Sequence, residues 1–344
     1  MRMHRLTRVL GALVIAAGTL AGFAAAKAEE LVVYTALEDD QLAAYKDAFE
    51  GANPDITINW VRDSTGVITS RLLAEKENPQ ADVIWGLAAT SLLVLDSEGM
   101  LEPYAPAGYE SLKPGFVDQV NNPPHWVGMD AWISAICYNY AEGKLRNIPA
   151  PATWDDLLKP IYKGHVVMPN PGSSGTGFLT VSAILQQRGE EEGWAYLDAL
   201  HENIATYLHS GSKPCVFAAQ GEYVVGISFE YRGAQEKTKG APIDVIIPAD
   251  GAGWDMEASA IMAGTDKLEA AQRLLDFSVT QAANELYNES YAVVAMPGVS
   301  KSIPNYPEDA EALMIENDFA WAANNRERIL AEWQTRYGSK DAPK

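Results

Sequence analysis

Cysteine, histidine and basic side chains are all scarce in this sequence of 344 residues. Only Cys137 and Cys215 occur, which excludes a disulfide-dense scaffold and a four-cysteine zinc or iron–sulfur site. Lysine and arginine number 26 against 46 acidic residues, so the formal net charge is −20. Such acidity argues against nucleic acid and anionic membranes as partners, because both require basic patches. A small anionic ligand is still compatible, because backbone N–H groups at helix N-termini bind anions without a net positive charge.

The motifs of common enzyme classes are also missing. The five histidines show no metal-ligand spacing, and the G-x-S-x-G turn of many hydrolases does not occur. Neither a Walker loop nor a G-x-G-x-x-G dinucleotide fingerprint is present. We therefore expect no catalysis, no resident metal and no cofactor, and we keep a secreted hydrolase as the distant alternative.

The N-terminus has the pattern of a secretory signal peptide. Three arginines stand within the first eight residues, residues 9–23 carry no charge, and an Ala-Lys-Ala sequence covers residues 26–28. The apolar run is too short for a transmembrane helix, which needs about 20 residues. We predict that residues 1–28 direct export to a bacterial periplasm, where Cys137 and Cys215 could pair. The sequence alone does not give the distance between them.

Short strand-like segments alternate with helical patterns along the rest of the chain. Residues 31–35, 56–61 and 82–86 read as strands with helices between them, and this alternation continues after residue 130. It predicts an α/β fold with mostly parallel or mixed sheets flanked by helices. The final part of the chain is predicted to form helices over 268–280, 282–287, 310–319 and 325–337.

Two α/β halves without a linker predict two lobes joined by strands that cross between them. We expect these crossings within Val127–Ile133 and Pro248–Glu257. One lobe would comprise residues 29–130 and 256–344, and the other residues 131–255. The cleft between the lobes is the expected ligand site, with hinge closure around the ligand.

Two loops rich in serine, threonine and glycine each follow a strand and open a helix. Their residues are Ser64, Thr65 and Gly66 in the first half of the chain and Ser173, Ser174, Gly175 and Thr176 in the second. Either loop alone also fits an ordinary helix cap. Together, across a cleft, their hydroxyl and backbone N–H donors would hold a tetrahedral oxyanion from both sides.

Acidic and aromatic residues follow the ends of several predicted strands, where ligands bind in open α/β sheets. They are Glu38, Glu230, Tyr231 and Asp255. Carboxylates at such positions could pair with an ammonium group, and an aromatic face could add cation–π attraction. In so acidic a chain, however, each of these carboxylates is also compatible with a solvated surface position.

Five segments together resemble type II periplasmic solute-binding proteins of ABC importers, over essentially all of the chain after residue 28. The segments are Val33–Glu38, Asp63–Val67, Ala81–Gly86, Gly172–Gly177 and Gly221–Gly226. Within that group, residues 63–76 and 209–215 are similar to the 2-aminoethylphosphonate-binding proteins. The resemblance implies a two-lobed periplasmic protein, expected to be a monomer, that delivers its ligand to importer membrane subunits.

The resemblance implies a zwitterionic ligand. The two loops would hold the phosphonate of 2-aminoethylphosphonate, and Glu38, Glu230, Tyr231 or Asp255 its ammonium group. The wider branch includes ferric-iron-binding proteins, which place two adjacent tyrosines after the strand that matches Val224–Phe229. This chain has only Tyr231 there, which disfavours iron. Ferric iron, inorganic phosphate and phosphate esters stay open as alternatives on the same fold.

Overall fold

The computed structural model describes residues 28–343. The predicted signal peptide, apart from its last residue, lies outside the described residues. The strands are β1 (Glu29–Thr35), β2 (Ile56–Arg62), β3 (Val83–Ala88), β4 (Leu101–Glu102), β5 (Val127–Asn139), β6 (Val166–Pro169), β7 (Ile204–Leu208), β8 (Val225–Phe229), β9 (Ile243–Ile246), β10 (Trp254–Met262) and β11 (Val293–Val294). The helices are α1 (Asp39–Ala52), α2 (Thr65–Ala74), α3 (Ala89–Ser97), α4 (Tyr140–Arg146), α5 (Gly175–Arg188), α6 (Glu190–Asn203), α7 (Lys213–Gln220), α8 (Glu230–Thr238), α9 (Leu268–Ser278), α10 (Gln281–Tyr287) and α11 (Phe319–Tyr337).

The main strands follow the order β2-β1-β3-β10-β5-β8-β6-β7. In the first sheet β1 pairs in parallel with β2 and β3, and β10 runs antiparallel between β3 and β5. In the second sheet β6 pairs in parallel with β7 and β8, and β5 runs antiparallel to β8 and β9. The predicted mixed α/β fold is confirmed.

Strand β5 belongs to both sheets and is one of the crossings between them. Its residues up to Ile133 pair with β10, whereas those from Ser134 onward pair with β8. The chain returns between the end of β9 at Ile246 and the start of β10 at Trp254. Both crossings agree with the prediction, and all 13 residues of β5 are buried because elements pack on both of its faces.

Other elements cover both faces of the first sheet. Successive side chains of its strands point to opposite faces. Val83 and Trp85 of β3 point into a core with Tyr45 and Phe49 of α1. Ile84 and Leu87 of β3 lie in a second core, which α2 and α3 complete. Both faces of β3 are therefore apolar, and its open end, rather than a face, is left for a ligand.

The last helix packs against the second sheet, which the sequence did not predict. Ile329, Trp333 and Tyr337 of α11 lie in the same core as Ile184 of α5 and Ile227 of β8. The same helix also packs on α3, which covers the first sheet, so α11 contacts both lobes and the assignment of residues 256–344 to the first lobe stays a prediction. The other lobe boundaries stay predictions.

The helix predicted over 310–319 is wrong. Only a short 3-10 turn forms there, at Glu311–Leu313, because the following backbone is extended and bonds to another segment. The Ala252 N–H donates to the Leu313 carbonyl (2.8 Å), and the Ile315 N–H donates to the Ala252 carbonyl (3.1 Å). These bonds attach the segment to the connection between β9 and β10.

Cys137 of β5 and Cys215 of α7 form a disulfide and are both fully buried. The bond ties the first turn of α7 to the strand that crosses between the sheets. Among residues 28–343, no helix is long and apolar enough to traverse a bilayer.

Candidate ligand-binding site

A cavity lies between the two sheets, where the chain leaves several strands. The space between its lining atoms, open mouth included, is about 500 Å³. Polar residues dominate one side: Glu38, Arg62, Ser64, Thr65, Ser174, Gly175, Thr176, Ser210, Gly211 and Glu257. The apolar side contains Trp132, Phe229 and Tyr291, together with the small residues Ala36, Gly86 and Ala88.

The first predicted loop contributes Ser64 and Thr65 to this cavity. Ser64 is the N-cap of α2 in an extended conformation, so the chain turns sharply at the end of β2 and α2 begins at the cavity wall. Gly66 does not line this cavity. Its N–H donates to the Ser173 carbonyl of the other loop at 2.9 Å. The two lobes are therefore in contact, and the cleft is closed.

The second predicted loop contributes Ser174, Gly175 and Thr176, while Ser173 lies outside the cavity. The Ser174 hydroxyl caps α5 by accepting a hydrogen bond from the Gly177 N–H (3.2 Å). Gly175 packs against the first loop so closely that a Cβ atom there would lie 2.5 Å from the Thr65 hydroxyl. Two helix N-termini thus meet at one wall, where their partial positive charges add.

A third loop, missed in the sequence, completes this wall. Ser210 and Gly211 line the cavity, and a Cβ atom on Gly211 would lie within 2.8 Å of the Thr176 and Ser174 hydroxyls. The Ser228 hydroxyl holds the loop by donating to the Gly211 carbonyl (2.7 Å). The Ser-Gly-Ser sequence just before a helix-starting proline was the available signal.

Arg62 is the second functional candidate that the sequence reading missed. It ends β2, lines the cavity and donates from Nε to the Leu37 carbonyl (2.9 Å). Its guanidinium adds a permanent positive charge to the cavity that the serine and threonine hydroxyls also line. A lone arginine at a strand end, two residues before Ser64 in an acidic chain, was the signal for this role.

The structure places Glu38 in the cavity, but with its carboxylate already paired. Glu38 lies 2.5 Å from the Arg232 guanidinium and 3.7 Å from that of Arg62. Its backbone N–H also donates to the side chain of Gln41 in the first turn of α1. Because two cations share its charge, Glu38 is a poor partner for a ligand ammonium.

The other predicted amine ligands do not line the cavity. Glu230 is fully buried and accepts hydrogen bonds from the Ile133 N–H (2.7 Å) and the Tyr306 hydroxyl (2.8 Å). Asp255 accepts from the Thr90 hydroxyl (2.6 Å) and the Met256 N–H (2.7 Å). Burial raises the pKa of both carboxyls to about 7. Both carboxyls hydrogen-bond to other groups inside the protein, because elements of both lobes cover this region.

Tyr231 also turns away from the cavity. Its ring packs on that of Tyr291, with centroids 5.2 Å apart, and its hydroxyl accepts a hydrogen bond from the Gln235 side chain (3.1 Å). Tyr291, which no sequence pattern singled out, takes the cavity position instead. The predicted tyrosine therefore supports the cavity wall rather than forming it.

Glu257 is an acidic cavity residue with a carboxyl oxygen that can still accept a hydrogen bond. It lies on β10 opposite Asp130, beside a local irregularity in strand pairing, and is only 7% exposed. Its Oε2 atom is buried and has no hydrogen-bond partner among residues 28–343. Burial, and then the nearby Glu38 charge, raises the pKa of Glu257. An unpaired buried carboxyl at a cavity wall is suited to a ligand N–H or O–H donor.

A group of possible metal ligands lies outside this cavity. Atoms of Asp96, Asp118 and His125 lie within 4.8 Å of one another. However, Asp118 already accepts hydrogen bonds from the His125 and Val120 N–H groups, and His125 Nδ1 contacts Asp96 at 2.5 Å. These bonds order the connection that leads into β5.

The family model for bacterial extracellular solute-binding proteins matches residues 78–322. The chain belongs to this family. It is 25% identical to an uncharacterized protein of Haemophilus influenzae, over 97% of this chain and 98% of that protein. It is also 25% identical to a Salmonella typhimurium protein named "Putative 2-aminoethylphosphonate-binding periplasmic protein", over 81% and 80% of the two chains.

Solved structures show the same fold. The periplasmic binding protein AfuA of Actinobacillus pleuropneumoniae, solved with fructose 6-phosphate bound, superposes with a TM-score of 0.83. It is 27% identical and covers 90% of this chain and 99% of its own. Iron-bound HitA of Pseudomonas aeruginosa gives a TM-score of 0.74 at 18% identity, covering 88% and 99% of the two chains. The protein therefore has the two-lobed fold of type II periplasmic binding proteins.

Proposed function

We propose that this protein is the periplasmic solute-binding component of an ABC importer, exported by its N-terminal signal peptide. Its ligand is a small organic molecule with a phosphonate or phosphate group, held in the closed cleft. One observation carries the proposal: hydroxyl groups and helix N-termini from both lobes meet in one cavity, which Arg62 also lines. Donors arranged in this way suit a tetrahedral oxyanion.

The anion end accounts for much of the expected affinity. Ser64, Thr65, Ser174 and Thr176 offer hydroxyl donors, and each charge-assisted hydrogen bond contributes roughly 1.5–3 kcal/mol. Micromolar binding corresponds to about −8 kcal/mol, so a few such bonds in a cleft that excludes water suffice. Gly66 and Ser173 act indirectly, because their mutual hydrogen bond holds the two loops together.

The first candidate ligand is 2-aminoethylphosphonate. Its ammonium group would pair with Glu257, which replaces the four residues predicted from the sequence for this role. Glu257 has a buried oxygen without a partner among the described residues, and a cationic donor satisfies that atom best. The named relative in Salmonella typhimurium supports the same ligand class.

A hexose phosphate is the second candidate. Trp132, Phe229 and Tyr291 line the cavity with aromatic carbon, although each side chain is more than nine-tenths buried. Sugar C–H faces pack on such rings, and a sugar hydroxyl would donate to Glu257. The fructose 6-phosphate bound to AfuA supports this candidate.

Ferric iron fits the cavity less well than an anion does. Arg62 lies in the cavity, and its fixed positive charge repels a trivalent cation. Tyr231, at the place where the iron-binding branch has adjacent tyrosines, points to Tyr291 and Gln235 instead.

Calorimetric titration of the purified mature protein tests the proposal. The series comprises 2-aminoethylphosphonate, ethylphosphonate, fructose 6-phosphate, inorganic phosphate and ferric citrate. We expect binding of at least one organic phosphonate or phosphate, weakened by about 1–3 kcal/mol in each of Thr65→Ala and Thr176→Ala. Thr335→Ala, which removes an exposed hydroxyl from α11, is the matched control. Binding of iron alone, or wild-type affinity in both cavity variants, would contradict the proposal.

A further inference from the structure

Glu38 lies between two arginines that belong to different lobes. Its Oε2 atom is 2.5 Å from Arg232 Nη2, and its Oε1 atom is 3.7 Å from Arg62 Nη2. Arg62 ends β2 of the first sheet, whereas Arg232 lies on α8, directly after β8 of the second. In the closed cleft the carboxylate is therefore hydrogen-bonded to the arginine of the opposite lobe rather than to that of its own.

Arg62 keeps donors available in this arrangement. Its Nε atom is bound to the Leu37 carbonyl, which fixes the guanidinium at the cavity wall. Its two terminal nitrogens make no hydrogen bond to any residue of the described range 28–343. Asp39, the other nearby carboxylate, is 83% exposed and approaches Nε at 3.4 Å. The two terminal nitrogens of Arg62 therefore have N–H donors available to a ligand in the cavity.

Arg232 is held firmly where it meets Glu38. Its side chain is only 10% exposed and lies 3.6 Å from Glu236 of its own helix and 3.9 Å from Asp40 of the other lobe. Gln235, its neighbour on α8, accepts from Arg232 and donates to Asp40. When the lobes separate, Arg232 moves away with α8, and Arg62 stays beside Glu38 on the first lobe.

We propose that Arg232 is a positioning residue for the anion site: on closure it takes the Glu38 carboxylate and frees Arg62 for the oxyanion of the ligand. In the open cleft Glu38 pairs with Arg62 and lowers its attraction for anions. In the closed cleft that competition weakens, because Glu38 hydrogen-bonds to Arg232 at 2.5 Å and stays 3.7 Å from Arg62, so the ligand is bound most strongly once water is excluded. The idea rests on the proposed phosphonate or phosphate ligand.

Charge and geometry give this mechanism a clear consequence for selectivity. A guanidinium released from a carboxylate favours an anionic ligand group and adds nothing for a neutral one. Closure then discriminates by charge at the moment when the two lobes meet. This coupling is a difference in ligand affinity between two conformations, as any population shift requires.

A double-mutant cycle separates this role from a purely structural contact between the lobes. Arg232→Gln should weaken binding of 2-aminoethylphosphonate or fructose 6-phosphate about tenfold or more, because Glu38 then returns to Arg62. Glu38→Gln should bind within about threefold of wild type, because Arg62 then has no competing carboxylate in either conformation. The double variant should recover to the level of Glu38→Gln, because no carboxylate is left to compete for Arg62. Arg273→Gln, which breaks an exposed pair with Asp55 within the first lobe, is the control.

The outcomes distinguish this inference from the proposed function. A wild-type protein that binds neither probe overturns both, since Arg62 then has no oxyanion to meet. A wild-type protein that binds, with unchanged affinity in Arg232→Gln, overturns the inference alone. A double variant that binds as weakly as Arg232→Gln also overturns it, because Arg232 then acts only as a structural contact between the lobes. Arg232→Lys, which keeps the charge and should lose less affinity than Gln, replaces the Gln variant if that protein does not fold.

Discussion

The Gly66 N–H donates a hydrogen bond of 2.9 Å to the Ser173 carbonyl, and this bond joins the two loops beside the cavity. Gly66 is the second residue of α2, and Ser173 lies two residues before α5. The backbones are so close that a Cβ atom on Gly66 would lie 2.2 Å from the Gly172 carbonyl oxygen. Glycine is thus required here for contact between the lobes, whereas the sequence suggested a role in contacting the ligand.

Gly66→Ala should therefore impair closure. The added methyl group clashes only when the lobes meet, so the ligand-free protein should keep its melting temperature. Ligand affinity should fall about tenfold or more, and small-angle scattering should show a more open ligand-bound state. Gly51→Ala is the control, since nothing lies within 4 Å of a Cβ there and alanine favours the helix by about 0.5–1 kcal/mol. Wild-type affinity in Gly66→Ala would show that closure does not need this contact.

Glu257→Gln should separate the two candidate ligands. Glutamine keeps the shape of the side chain and an acceptor oxygen but removes the negative charge that an ammonium group requires. Binding of 2-aminoethylphosphonate should fall by about 1.5–3 kcal/mol, whereas ethylphosphonate binding should stay near its wild-type value. A sugar hydroxyl can still donate to glutamine, so fructose 6-phosphate should lose less. Competition titrations measure all three, and equal loss for 2-aminoethylphosphonate and ethylphosphonate would remove Glu257 from the amine end.

The disulfide between Cys137 and Cys215 should stabilise the folded protein. The two residues are 78 positions apart. In the entropic model, closing a loop of this length raises the free energy of the unfolded chain by about 4.5 kcal/mol. Protein purified without reductant should show no free thiol after denaturation. The reduced form should unfold at lower denaturant concentration. Two titratable thiols in unreduced, correctly exported protein would contradict the pairing.

Asp255 should make stability fall as the pH rises. Burial raises the pKa of this carboxyl to about 7, well above the value of about 3.9 expected in the unfolded chain. Between these values the native protein holds a proton that the unfolded chain has lost. Its stabilising contribution is thus complete below about pH 4 and is lost as the pH rises toward 7.

Asp255→Asn should flatten that decline by about 1.4 kcal/mol per pH unit, the slope for one proton. Urea unfolding between pH 4.5 and pH 7, compared with wild type, measures the difference. The control is Asp47→Asn, which changes an exposed carboxylate on α1. Parallel curves for wild type and Asp255→Asn would mean that Asp255 is ionised throughout this range.

Local sequence patterns predicted a large part of this structure. Apolar runs predicted β1, β3, β6 and β8 closely, because strands buried on both faces are apolar throughout. Alternation of apolar and polar residues predicted β2, which lies at the edge of the sheet. The helix over 310–319 failed for the opposite reason. Its backbone bonds to Ala252, which is distant in the sequence, and local propensity contains no information about such a partner.

The candidate site divides in the same way. Ser64, Thr65, Ser174, Gly175 and Thr176 were predictable, because a helix that begins after a strand must place its cap at the sheet edge. The amine end was not. Glu38 and Glu230 follow strands, whereas Asp255 lies at the start of β10, and the use of each carboxylate depends on which cation or hydrogen-bond donor the fold brings against it.

The sequence by itself determined the α/β alternation, the two crossings between lobes and the two helix caps that face each other. These follow from apolar periodicity and from backbone groups that every helix start leaves unpaired. Only the tertiary structure decided that Glu38 pairs with Arg232 and that Arg62 lines the cavity. It also decided that one carboxyl oxygen of Glu257 has no hydrogen-bond partner among residues 28–343. Charge pairing depends on distances of a few ångströms between residues far apart in the chain, and those distances exist only once both lobes have packed.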